Sequence, residues 1–110
     1  MTPSPSATRR RVVVTGLGTV NPLALCVPDY WRGLLAGKSG IAHIAGFDTA
    51  AFKLASGAHV PFKVTFGGEV KGFNPEPIVD ARAAHRMDRF TQFAIVAAHE
   101  ALKDSGLDIS

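Results

Sequence analysis

Four groups of residues in this chain have types and spacings that could do chemistry. Arg82, His85, Arg86 and Arg89 recur at i, i+3, i+4 and i+7, so on a helix they line one face as a basic stripe. Such a stripe is either solvated surface, the commoner case, or a dock for an acidic partner, because clustered positive charge raises encounter rates and fixes orientation. Gly16-x-Gly18 follows a short β-branched run, as half of a dinucleotide fingerprint would. Asn21 stands where the third glycine belongs and Pro22 interrupts the loop, so a tight strand-to-loop turn is the better reading. Gly33-Leu-Leu-Ala-Gly37-Lys38-Ser39 has the composition of a phosphate-binding P-loop but is one residue short, and it lies inside and at the end of a helix. A glycine C-cap followed by a solvated lysine accounts for it. Cys26, in Leu-Cys-Val-Pro with no histidine or basic residue beside it in sequence, reads as an inert structural thiol.

The elements that must position these groups are dominated by the stretch from Met87 to Gly106. On a 3.6-residue period Phe90, Phe93, Ala94, Ala97, Ala98, Ala101 and Leu102 share one broad face, Ile95 and Val96 widen it, and Gln92, His99 and Lys103 form a polar strip opposite. Asp88 at the start and Lys103 near the end suit the helix dipole, and Gly106 is a left-handed terminator. The alanines let a neighbouring backbone approach closely. Upstream, Arg11-Val-Val-Val-Thr-Gly16 predicts a strand buried on both faces, typical of a parallel sheet. A turn and a helix opened by Pro28 and ended by Gly37 follow, carrying Tyr30, Trp31, Leu34 and Leu35. Ile41 to Ala58 reads as loop with extended pieces, Lys63 to Val70 as a strand with a bulge, and Glu76 to Arg86 as a short helical segment after the Gly72-Phe-Asn-Pro75 turn. Strand, helix, strand, helix in that order predicts an α/β fold.

Composition bounds the function. At 110 residues, with 46% hydrophobic and 19% charged residues, the chain suits one soluble domain, with no membrane-spanning run. The net charge of +3 is wholly that of Arg9, Arg10 and Arg11, and residues 12–110 hold nine Lys/Arg against nine Asp/Glu. A globally basic nucleic-acid binder is therefore not expected. A single cysteine excludes an intramolecular disulfide and a CxxC metal pair and points to a reducing compartment, taken as the cytoplasm. His43, His59, His85 and His99 lack ligand spacing, so neither metal nor cofactor is assigned. Residues 1–8, rich in Pro, Ser and Thr, are expected to be a disordered arm ahead of a domain spanning 9–110.

Several blocks, in order and nearly collinear, carry a resemblance. Arg10-Arg-Val-Val-Val-Thr-Gly-Leu-Gly18, Trp31 with Leu34-Leu-Ala-Gly-Lys-Ser-Gly-Ile41, Gly46-Phe-Asp48, Gly68-Glu-Val-Lys71, Arg86-Met-Asp-Arg-Phe-Thr-Gln92 and Asp104-Ser-Gly-Leu107 resemble the opening of a β-ketoacyl-[acyl-carrier-protein] synthase, of the synthase II type. The resemblance implies a thiolase-like αβαβα sandwich of which this chain is the N-terminal part, ending within the first of two similar halves. It also implies the activity, elongation of acyl-ACP with malonyl-ACP in fatty acid biosynthesis, and a homodimer. In the family a cysteine thiolate takes the acyl group and two histidines promote malonyl decarboxylation; no residue of this chain matches them, and Cys26 lies in the wrong motif. What carries over is part of the acyl carrier protein docking face, at Arg82, His85 and Arg86, with His85 where an arginine is usual and Arg89 joined through the stripe. Two departures are Ala24-Leu25, in place of a glycine-containing turn, and extra residues at roughly 53–65 that suit a surface hairpin. The resemblance leaves two alternatives, a non-catalytic chain-length-factor-like subunit and a polyketide ketosynthase.

Overall fold

Helix α1 (Val27–Leu35) starts where Pro28 supplies a ready-made helical φ and ends in paired hydrogen bonds, Gly37 N–H to the Leu34 carbonyl and Lys38 N–H to the Gly33 carbonyl. With Gly37 at φ 68° this is a Schellman cap, so the P-loop-like composition is a helix terminus. The computed structural model describes residues 9–50 and 52–109; the arm expected at 1–8 lies outside them.

From α1 the chain enters a long antiparallel ribbon. Strand β1 (Ile41–His43) pairs with β4 (Phe66–Gly68), and between them β2 (Phe52–Lys53) pairs with β3 (His59–Val60). Two bonds bridge the bulged stretch between the ladders, from Ile44 N–H to the Thr65 carbonyl and from Phe62 N–H to the Thr49 carbonyl. The ring of Phe47 packs on that of Phe62 at 5.3 Å. The base is clamped by Glu69, whose two carboxylate oxygens accept from the N–H groups of Ala45 (2.7 Å) and Gly46 (2.9 Å). The extra residues near 53–65 are thus the distal half of the ribbon, the surface hairpin that the sequence suggests, turning at Gly57 with φ 88°.

Two short stretches then lead to the long helix. The expected helix at Glu76–Arg86 is only Ala81–His85, labelled α2. Pro77 has no N–H to donate and biases Glu76 away from helical geometry, so residues 75–79 form a turn with Ile78 and Val79 N–H on the Pro75 carbonyl. Helix α3 (Arg89–Ser105) ends at Gly106 with φ 70°, the left-handed terminator anticipated.

The largest departure is the predicted parallel strand. Residues 11–16 form no strand, and Val12, Val13 and Val14 are 92%, 70% and 79% exposed. β-branched residues favour a pleated surface but exist as a strand only when a partner ladder is present, and no other described segment pairs with them as one. The sheets among the described residues are two antiparallel pairs, so the α/β order holds only as helices with small antiparallel ladders. No helix among the described residues is long and apolar enough to cross a membrane.

What organises the rest is the contact between α3 and residues 16–19. A Cβ at Gly16 would collide with the Ala101 carbonyl, and one at Gly18 with the Ala97 carbonyl, so backbone meets helix directly across small residues. Asp104 Oδ2 accepts from Leu17 N–H (3.0 Å). Glu100 is bidentate, with Oε1 accepting from Thr19 N–H and Oε2 from Val27 N–H, both at 2.9 Å. The second bond places a carboxylate at the N-terminus of α1, where the helix dipole favours it. Glu100 thus ties α1, the loop and α3 together. Replacing Glu100 with Ala is expected to cut amide-exchange protection at Thr19 and Val27 by roughly tenfold or more, since a hydrogen bond to a charged group contributes about 1.5–3 kcal/mol. Unchanged protection in the variant would show that the carboxylate is not the clamp.

Candidate functional site

Helix α2 is seated by its apolar side. Ala84 and Val79 are the buried hydrophobic residues among those described, and Gln92 of α3 donates from Nε2 to the Ala84 carbonyl at 2.8 Å. Gln92, expected on a solvated strip, instead holds the end of α2 against α3. Phe73 meets Phe93 edge-on at 4.8 Å and closes the other side of this junction.

On this support Arg82 and His85 stand three apart on α2, and Arg86 follows as its C-cap. All three are exposed, and none of their side chains makes a hydrogen bond or ion pair with another described residue. Arg89 is placed differently. The i to i+7 stripe requires one helix through residues 82–89, but the chain leaves helical geometry after His85 and starts again at Arg89. There the guanidinium donates to the Val70 carbonyl at 3.0 Å and lies 5.3 Å from the centre of the Phe93 ring. Arg89 secures the α3 entrance to the segment after β4, and the free cationic cluster is Arg82, His85 and Arg86. Asp80 and Asp88, at the starts of α2 and α3, flank it with opposite charge. The field of the cluster is therefore short-ranged and does not dominate that of the whole chain.

The other candidates resolve into structure. Gly16 and Gly18 face the backbone of α3, which leaves no room for a pyrophosphate between them and a helix N-terminus. Asn21, read as an interruption of that loop, builds a turn by accepting from the N–H groups of Leu23 (2.9 Å) and Ala24 (3.0 Å) with its side-chain oxygen. This explains how the chain turns at Ala24-Leu25 without glycine. Cys26 is half-buried as the N-cap of α1. The Asp29 backbone N–H favours its thiolate, but burial and the carboxylates of Asp29 and Glu100 outweigh that and hold the thiol above its ordinary value. Asp29 is drawn the other way, held below the usual carboxylate range by Arg32 and then by the Cys26 thiol. Among the described residues no three of His, Cys, Asp and Glu gather as metal ligands would. The sequence reading missed Glu100 and Asp104; the available signal was two acids four apart, interleaved with Ala97 and Ala101 on one helix face.

The backbone turn on a small-residue helix, the short cationic helix behind it and the order of the blocks define a class of protein. The chain belongs to the β-ketoacyl synthase family: residues 9–110 match the model for the beta-ketoacyl synthase N-terminal domain. Within it the chain is similar to 3-oxoacyl-[acyl-carrier-protein] synthase 2 of Staphylococcus aureus strain COL, 45% identical over 101 residues, which is 92% of this chain and 22% of that protein. It is 42% identical over 102 residues to the synthase 2 of Coxiella burnetii, covering 93% of this chain and 22% of that one. The solved structure titled the ishigamide ketosynthase/chain length factor is similar with a TM-score of 0.73 at 35% identity, over 92% of this chain and 23% of that one. The chain thus spans about a fifth of the length of the relatives it matches.

Proposed function

We propose that this chain supplies the N-terminal part of a condensing enzyme with the thiolase-like αβαβα sandwich, one that elongates acyl-ACP with malonyl-ACP by decarboxylative Claisen condensation in fatty acid biosynthesis. The observation that carries the reading is the family match over residues 9–110, together with 42–45% identity to proteins named for that synthase. Since no residue of the chain takes the place of the nucleophilic cysteine or the paired histidines, its own share is scaffold and docking. Arg82, His85 and Arg86 form part of the face that receives the acidic acyl carrier protein; their exposure and lack of internal partners support this. The assembled enzyme is a cytoplasmic homodimer.

A second reading, a chain-length-factor-like subunit, has the ketosynthase/chain length factor structure in its favour, but at 35% identity against 45% for the synthase. A chimera separates the two: this chain replaces the matching 101 residues of the Staphylococcus aureus synthase 2. Condensation of acyl-ACP with malonyl-ACP is expected to persist in the chimera and to be absent from the isolated chain. Cys26→Ser in the chimera should leave turnover within about twofold, because a thiol held above its ordinary pKa is a poor nucleophile. A folded chimera without turnover would sink the synthase reading, and turnover by the isolated chain would sink the assignment of scaffold and docking.

A further inference from the structure

The β1–β4 ladder sets Ile41 opposite Gly68, Ala42 opposite Gly67 and His43 opposite Phe66. Lys38 and Lys71 follow just outside this ladder, three residues beyond Ile41 and Gly68, in segments that form no strand. Both lysines line one open hollow of about 540 Å³, completed by Ser39, Asp29 and the loop from Asn21 to Leu25. Like charges lining one hollow repel, so this arrangement favours a counter-charge. The neighbouring acceptors are already engaged: Asp29 pairs with Arg32, both Glu69 oxygens hold the N–H groups of Ala45 and Gly46, and the Asn21 side-chain oxygen holds those of Leu23 and Ala24. Neither lysine side chain has a hydrogen bond or ion pair among the described residues. The Leu34 and Gly33 carbonyls near the end of α1 are engaged too, by Gly37 and Lys38 N–H. Ser39 Oγ accepts from Ile41 N–H, which leaves its own proton to donate. The hollow thus holds two uncommitted ammoniums and a hydroxyl donor beside one carboxylate, Asp29, already paired with Arg32, and its lining is net positive.

We propose that this hollow binds a small phosphoryl anion between Lys38 and Lys71. Compact, rotatable ammoniums suit a tetrahedral oxyanion, whereas planar carboxylates are matched better by the guanidinium fork. The site is unrelated to a P-loop, since Lys38 follows a helix C-terminus, and it is separate from the carrier-docking cluster. Solvent exposure keeps the affinity modest.

Titrating the folded chimera with the Staphylococcus aureus synthase 2, ¹⁵N-labelled at lysine and serine, with inorganic pyrophosphate at ionic strength held constant with chloride reads the site through the amide shifts of Lys38, Ser39 and Lys71. Saturation is expected at about 1–10 mM, with roughly tenfold or greater weakening in the variant carrying both Lys38→Gln and Lys71→Gln. Lys71→Glu is expected to abolish binding and to raise amide protection at Ile41 and Gly68, because Lys38 then has its counter-charge within the chain. Shifts that fail to saturate in the parent chimera, or that persist unchanged in the double variant, overturn the proposal.

Discussion

The isolated 110-residue chain is expected to lose structure over a broad temperature range and to self-associate, rather than melt sharply as a monomer. A compact chain of this length has a radius of gyration of about 13 Å, and this one has 20.5 Å. A compact monomer of 11.6 kDa exposes about 5,800 Å², whereas 9099 Å² is exposed here. No described side chain is fully buried, and Val12, Val13, Val14, Phe90 and Leu107 are largely exposed. Burying a large aliphatic or aromatic side chain contributes about 1.5–3 kcal/mol, so these five alone forfeit roughly 10 kcal/mol, comparable with the whole stability of a domain. The ribbon adds open edges, and a two-stranded ribbon is marginal by itself. Circular dichroism melting with light scattering checks this. A sharp, reversible transition with monomeric mass would overturn it and favour a self-contained domain. In the chimera the same residues are expected to be covered, and the melt to be cooperative.

Reversing the charge at Arg82 and Arg86 together should raise the KM of the chimera for acyl-ACP by roughly 10–100-fold. Each exposed contact with a carboxylate contributes up to about 1 kcal/mol, and each becomes repulsive when arginine is replaced by glutamate. Transfer from a small carrier-free thioester should stay within about twofold, because neither side chain supports the fold through a hydrogen bond or ion pair with a described residue. Residual carrier binding should also be less weakened by salt than in the parent, since screening then acts on fewer attractive contacts. Equal losses on both substrates would mark the cluster as structural. Arg89→Ala provides the contrast: its guanidinium holds the Val70 carbonyl and the Phe93 ring, so its loss should lower stability more than carrier affinity.

Sequence alone determined the features that depend on local chemistry. Pro28, the Gly37 cap and the alanine-rich helix with Gly106 at its end were legible because each is set by dihedral preference or by short-range periodicity, whereas the hairpin near 53–65 was legible only as extra length beside the family resemblance. The family was legible too, since ordered blocks along the whole chain survive without any knowledge of contacts. The break between α2 and α3 was hidden by the continuous i, i+3, i+4, i+7 spacing, and only the structure separates Arg89 from Arg82, His85 and Arg86. Tertiary structure likewise decided what Glu100, Glu69 and Gln92 do, because each bonds a backbone group of a different element and nothing in a side chain's type announces a distant N–H or carbonyl. The predicted strand at 11–16 marks the same boundary from the other side. Its residues carry the preference for a sheet, but a strand exists only through hydrogen bonds to a neighbour, and no described segment of this chain supplies one.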